Sequence, residues 1–195
     1  MISSPTRFLL VRHGETDWNR QGRVQGHTDI PLNDLGRAQA LAAADVLSSA
    51  EPTRIIASPL GRAAETAAII TEAIGGPAVE TEADFIEMQY GEAEGAVWQD
   101  IRHLYSDGVV PGAEARPAVL ERSTAALRRL AAESTGTVIV ASHGGVINGL
   151  TRHTTSPDEF PGSADNGSIT EFAVTGSDIR FVGRTRIDAA VNVEA

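Results

Sequence analysis

The stretch FLLVRHGETDWN, residues 8–19, places four apolar residues directly before an arginine, a histidine and a glycine. An apolar run without polar alternation reads as a strand covered on both faces, the kind that parallel sheets use. Two later stretches repeat the form: RIIASPLGR (54–62) and TVIVASHGG (137–145) are short apolar runs that end in polar residues and open into helix-period sequence. Strand–turn–helix units in succession predict an α/β fold with a mostly parallel central sheet and helices on both faces.

Working outward, residues 33–50 carry Leu35, Ala38, Ala42 and Val46 at helical spacing, with Asn33 as N-cap. Ser58 at N-cap and Pro59 at the first helical position start a second helix, lined inward by Leu60, Ala63, Ala67, Ile70 and Ile74. Residues 117–133 form a third helix with Val119, Leu127 and Leu130 inward, and HGGVINGLTRH (143–153) a fourth. Between them, 78–90 reads as a strand ending in a loop, 94–108 as a short helix and 106–117 as a loop over the sheet. SITEFAV and DIRFVG make a terminal hairpin around Thr175-Gly176-Ser177. No repeat or linker interrupts the chain, so residues 1–195 are expected to form a single domain.

Composition narrows the function classes. A net charge of −10 opposes general affinity for nucleic acid or anionic membranes. Cysteine is absent, which removes thiol nucleophiles, disulfides and Cys-zinc sites. No apolar run approaches a membrane span and MISSPTRF has no signal-peptide core, so the cytoplasm is the expected location. An edge strand or helix face would serve a homodimer. All 16 basic residues are arginine. In an acidic protein, clustered guanidiniums suit a phosphate or carboxylate ligand.

In open α/β sheets ligands bind beyond the carboxyl ends of the strands. Here those ends carry Arg12-His13-Gly14, Ser58-Pro59 with Arg62 close behind, and Ser142-His143-Gly144-Gly145. A histidine at one strand end is more often structural than functional, and a lone Arg62 is more often a solvated helix residue. Repetition changes the weighing, because parallel strands bring all three ends to one edge. Backbone N–H groups at a helix N-terminus, as at Gly144, add to an anion site. No P-loop, nucleophile elbow or HExxH motif competes with this reading.

These residues resemble the histidine phosphatase superfamily, the phosphoglycerate mutase-like proteins. LVRHGETDWN is joined, in order, by GHTDIPLNDLGRAQA (26–40), ASPLGRAAETA (57–67), EMQYGEAEG (87–95), PGAEA (111–115), VASHGGVI (140–147) and NGSIT (166–170). The resemblance implies a metal-independent phosphohistidine mechanism, without cofactor, on a small-molecule phosphate ester. It implies His13 as nucleophile, Arg12, Arg62 and His143 on the phosphoryl oxygens, and Glu87 as proton donor and then acceptor. Asn19 falls where the family places another phosphate contact, and Ser58 matches a motif serine that serves as ligand or helix cap. Arg23, with Arg20, flanks the mouth and could hold a second anionic group, or be solvated. Met88, Gln89 and Ala93, and the lack of a serine after Glu114, depart from the family pattern on the substrate side.

Three readings follow. A phosphomonoesterase comes first. A phosphoglycerate mutase would need a longer cap over the site than the segment from Gly95 to Glu114 supplies. An idle phosphate-binding module would be expected to have lost at least one of Arg12, His13, Arg62, Glu87 and His143.

Overall fold

A computed structural model describes residues 4–105 and 109–187. In chain order the elements are β1 (Thr6–Arg12), α1 (Asp17–Arg20), α2 (Asp34–Leu47), β2 (Pro52–Ala57), α3 (Gly61–Ile74), β3 (Val79–Thr81), α4 (Trp98–Ile101), α5 (Arg116–Glu133), β4 (Thr137–Ser142), α6 (Gly144–Thr154), β5 (Ile169–Thr175) and β6 (Asp178–Thr185). The six strands form one sheet in the order β3-β2-β4-β1-β5-β6. The first four are parallel, and the β5–β6 hairpin adds on antiparallel beside β1.

Side chains alternate across each parallel strand, and the two sets enter different cores. Phe8, Leu10, Val138 and Val140 pack with Val119, Leu127, Leu130, Ile147 and Leu150 of α5 and α6. Leu9, Val11, Ile139 and Ala141 pack with Ala43, Leu47, Ala63, Ala67 and Ile70 of α2 and α3. The unalternating apolar runs are therefore strands with a helical layer on each side. Among the described residues no helix is long and apolar enough to cross a membrane.

Register fixes the strand ends. Arg12 pairs with Ser142 and Ala57 with Ala141, so β2, β4 and β1 finish side by side. The pairing continues one step further, with His13 N–H donating to the Ser142 carbonyl (2.9 Å) and Ser58 N–H to that of Ala141 (3.0 Å).

Two local expectations are corrected. Leu35 and Val46 are exposed, and α2 buries Gly36, Ala40, Ala43, Ala44 and Leu47 instead. The roll of the helix is set by its first turn: a Cβ on Gly36 would overlap the Glu15 backbone, and one on Gly14 would overlap the Gly36 backbone. This close approach turns the alanine stripe toward the sheet. Asn33 does cap α2, its side-chain oxygen accepting from Gly36 N–H at 2.8 Å. The second correction concerns α3, which begins at Gly61 with Leu60 at N-cap. Asp29, from a different loop, accepts the Gly61 N–H at 2.8 Å, and Ser58 is occupied elsewhere. Of the helix expected over 94–108, the described part, to residue 105, holds α4 and a 3-10 turn at Arg102–Tyr105; its remainder and part of the loop expected over 106–117 lie outside the described residues.

Candidate active site

At the joined strand ends His13, Arg62 and His143 are each no more than 2% exposed. The ring centroids of His13 and His143 are 5.1 Å apart. His13 Nδ1 lies 2.7 Å from the Gly14 carbonyl, a group that can only accept, so this nitrogen carries the proton. Arg62 Nε–H, which can only donate, meets Nε2 of the same ring at 3.3 Å. Both partners select one tautomer, with the lone pair on Nε2. The remaining Arg62 donors reach the carbonyls of Gly26 (2.7 Å) and Thr28 (3.1 Å), with Asp29 at 3.5 Å.

Arg12 directs one guanidinium nitrogen to the Ala164 carbonyl at 2.6 Å, while its buried Nε has no partner among the described residues. His143 Nε2 is 2.7 Å from Ser58 Oγ, and its buried Nδ1 also lacks a partner among them. Buried polar atoms are normally satisfied, so two unpartnered nitrogens, one of them a guanidinium N–H, mark a place for a polar guest. Ser58 thus contacts His143 and does not cap α3.

Glu87 is 8% exposed and is held at the N-terminus of α6. Its two carboxylate oxygens accept N–H bonds from Met88 (2.8 Å) and Gly145 (3.0 Å). Glycine at 145 leaves room for the Glu87 carboxylate where it stands, since a Cβ there would overlap it and displace it. Asn19 closes a capping box with Thr16, and Asn166 joins it to the end of β1 by donating to Asn19 Oδ1 (3.2 Å) and to the His13 carbonyl (2.9 Å). Asn166 was not singled out from the sequence, although NGSIT contained it. Arg23 is exposed and bonded to Gln21 Oε1 (2.8 Å) and the Gly95 carbonyl (2.7 Å), so the structure does not join it to this group.

Burial, reinforced by the positive charges of Arg12 and Arg62, pushes the His13 pKa well below the usual imidazole value. His143 is lowered in the same way, by burial first and then by His13 and the same arginines. Both rings are therefore neutral when folded, while in the unfolded chain they take up protons near pH 6.5. Stability contributed by keeping them neutral is complete above that pH and is lost as pH falls toward the folded-state values, at about 1.4 kcal/mol per pH unit for each ring. The urea midpoint should fall between pH 7.5 and 5.5; a midpoint constant over this range would contradict the assignment. Burial also raises the Tyr90 hydroxyl pKa, with Glu87 adding to the shift, so the phenol stays protonated beside the carboxylate.

A constellation of buried imidazoles and guanidiniums with an adjacent carboxyl is suited to phosphoryl transfer, and known proteins point the same way. Over 146 residues the chain is 39% identical to the uncharacterized phosphatase PhoE of Bacillus subtilis (strain 168), covering 74% of this chain and 75% of that one. It is 33% identical over 205 residues to the glucosyl-3-phosphoglycerate phosphatase of Mycolicibacterium vanbaalenii, covering 93% and 86%. A solved mycobacterial glucosyl-3-phosphoglycerate phosphatase superposes with a TM-score of 0.77 at 30% identity, over 94% of this chain and 97% of that one. The profile of the histidine phosphatase superfamily (branch 1) matches residues 8–185, and the chain belongs to that family.

Proposed function

We propose that this protein is a phosphomonoesterase that passes the phosphoryl group of a small phosphorylated metabolite to His13 and then to water. The observation that carries this reading is the His13 tautomer: Nδ1 is committed to the Gly14 carbonyl, and the Nε2 lone pair faces the Arg62 guanidinium. An imidazole that remains neutral among cations can attack phosphorus in line without first losing a proton.

In the first half-reaction Nε2 bonds to phosphorus and the ester P–O bond breaks. Arg62 redirects its Nε–H from the imidazole to a phosphoryl oxygen, and the unpartnered Arg12 Nε and His143 Nδ1 take others. The Asn19 amide and the Gly144 N–H complete the cradle. Protonated Glu87 delivers its proton to the departing alkoxide. In the second half, the Glu87 carboxylate takes a proton from water as that oxygen attacks phosphorus. The N–P bond breaks, inorganic phosphate leaves, and one water has been consumed. Ser58 acts by donating to His143 Nε2, which keeps the proton of that ring on Nδ1, where a phosphoryl oxygen can use it.

The test is a panel containing 3-phosphoglycerate, glucosyl-3-phosphoglycerate, phosphoserine and sugar phosphates, scored by phosphate release. Release from at least one ester, with no conversion of 3-phosphoglycerate to its 2-isomer, is the expected result. Isomerisation without release would replace the hydrolase reading with a mutase.

A further inference from the structure

The segment that carries Glu87 is irregular after a 3-10 turn at Ala83–Phe85, yet its carbonyls are not left to solvent. Arg122 of α5 uses all five of its N–H donors. Two form a two-point pair with the Glu114 carboxylate (Nε to Oε1 2.9 Å, Nη2 to Oε2 3.0 Å). The other three reach the carbonyls of Asp84 (2.7 Å), Ile86 (2.8 Å) and Glu87 (3.3 Å). His27 Nε2 adds a second contact to the Glu87 carbonyl at 2.9 Å. The Ser142 hydroxyl donates to the Phe85 carbonyl (2.9 Å), and the Glu114 N–H to that of Gln89 (2.9 Å). Backbone groups that helices and strands would ordinarily satisfy are here satisfied by side chains converging from α5, the His27 loop and β4.

We propose that Arg122, clamped by Glu114, is the positioning residue for the Glu87 carboxyl, and that His27 supports it at the same carbonyl. The proposal rests on the reading of Glu87 as the proton donor. A general acid acts only within hydrogen-bond reach of the atom it protonates, and a misplacement of about 1 Å costs on the order of 100-fold. The Met88 and Gly145 N–H groups grip the carboxylate itself, and the Glu87 backbone, which has no ladder, is held in register with them by the guanidinium fork. Lysine at 122 would keep the charge and lose the simultaneous hold on three carbonyls and a carboxylate.

Leaving-group dependence separates this role from that of a simple strut. β-Glycerol phosphate expels an alkoxide that needs a proton, whereas 2,4-dinitrophenyl phosphate expels a phenolate that does not. The ratio kcat/KM reports only steps up to leaving-group departure, so hydrolysis of the phosphoenzyme does not enter. Arg122→Lys should lower kcat/KM for the glycerol ester about 30- to 100-fold, and for the dinitrophenyl ester by no more than about threefold. His27→Ala, at an exposed position that leaves the core untouched, should show the same selectivity at about 3- to 10-fold. Equal losses on both esters, or none on either, would overturn the positioning role. Glu87→Gln and His13→Ala provide the reference. Retained turnover of both esters by His13→Ala, or an unselective loss in Glu87→Gln, would remove the mechanistic reading itself, and with it this inference.

Discussion

His13→Ala should lower kcat/KM by about 10,000-fold or more for every ester the enzyme accepts, the scale seen when a covalent nucleophile is removed. No second imidazole of the group is placed to take over the attack. His143, the other imidazole in the group, has Nε2 at 2.7 Å from Ser58 Oγ, and in the proposed mechanism its Nδ1 carries the proton and serves as a donor, not a nucleophile. Rapid alkaline quench of the wild type with a radiolabelled ester should trap a phosphoprotein that is stable in base and loses its label on acidification. The variant should trap none. Its Arg12 and Arg62 guanidiniums remain, so inorganic phosphate should still bind, which separates loss of the nucleophile from collapse of the cradle. One buried neutral imidazole fewer also predicts a shallower loss of stability between pH 7.5 and 5.5. Near-native turnover in this variant would sink the mechanism.

The parts of this site that were legible in the chain are those that hydrogen-bonding register produces. Once FLLV, RIIA and TVIVA are parallel neighbours, Arg12, Ser58 and Ser142 must share an edge, and the residues that follow them must meet. What was not legible depends on how helices roll and loops cross. Leu35 and Val46 have helical spacing, but Gly36 against Glu15 decides which face of α2 turns inward, and backbone contact of that kind has no periodicity in sequence. Ser58 followed by Pro59 has the form of a helix start. The hydroxyl is captured by His143, 85 residues away, and Asp29 takes over the cap. Arg122 has the spacing of an ordinary helix arginine, and only the fold shows that it faces the Glu87 loop. Local patterns located the side chains that cluster at the strand ends, and side-chain contacts between distant segments supply the constraints that hold them.

The second large effect belongs to Arg62, which is 0% exposed and among the bulkiest fully buried side chains of the described residues. Methionine at this position would keep most of the volume and remove the charge and all five donors. Three consequences follow from three separate contacts. Loss of the Nε–H beside His13 removes a donor aimed at the transferring phosphoryl group, and kcat/KM should fall by about 1,000-fold or more, the range found for an arginine that neutralises phosphoryl charge. Loss of the positive charge relieves part of what holds the His13 pKa down, so the acid limb of the residual pH–rate profile should move toward higher pH. Loss of the bonds to Gly26 and Thr28 leaves two carbonyls unpaired, at a cost of about 1–3 kcal/mol each in a urea titration. Arg62→Lys separates these effects. A lysine retains the charge, so the acid limb should stay near its original position, while the lost fork still lowers the rate. A methionine variant that loses stability yet keeps its rate and pH profile would make Arg62 a strut between the Gly26 loop and α3, leaving Arg12 and His143 to carry the phosphoryl charge.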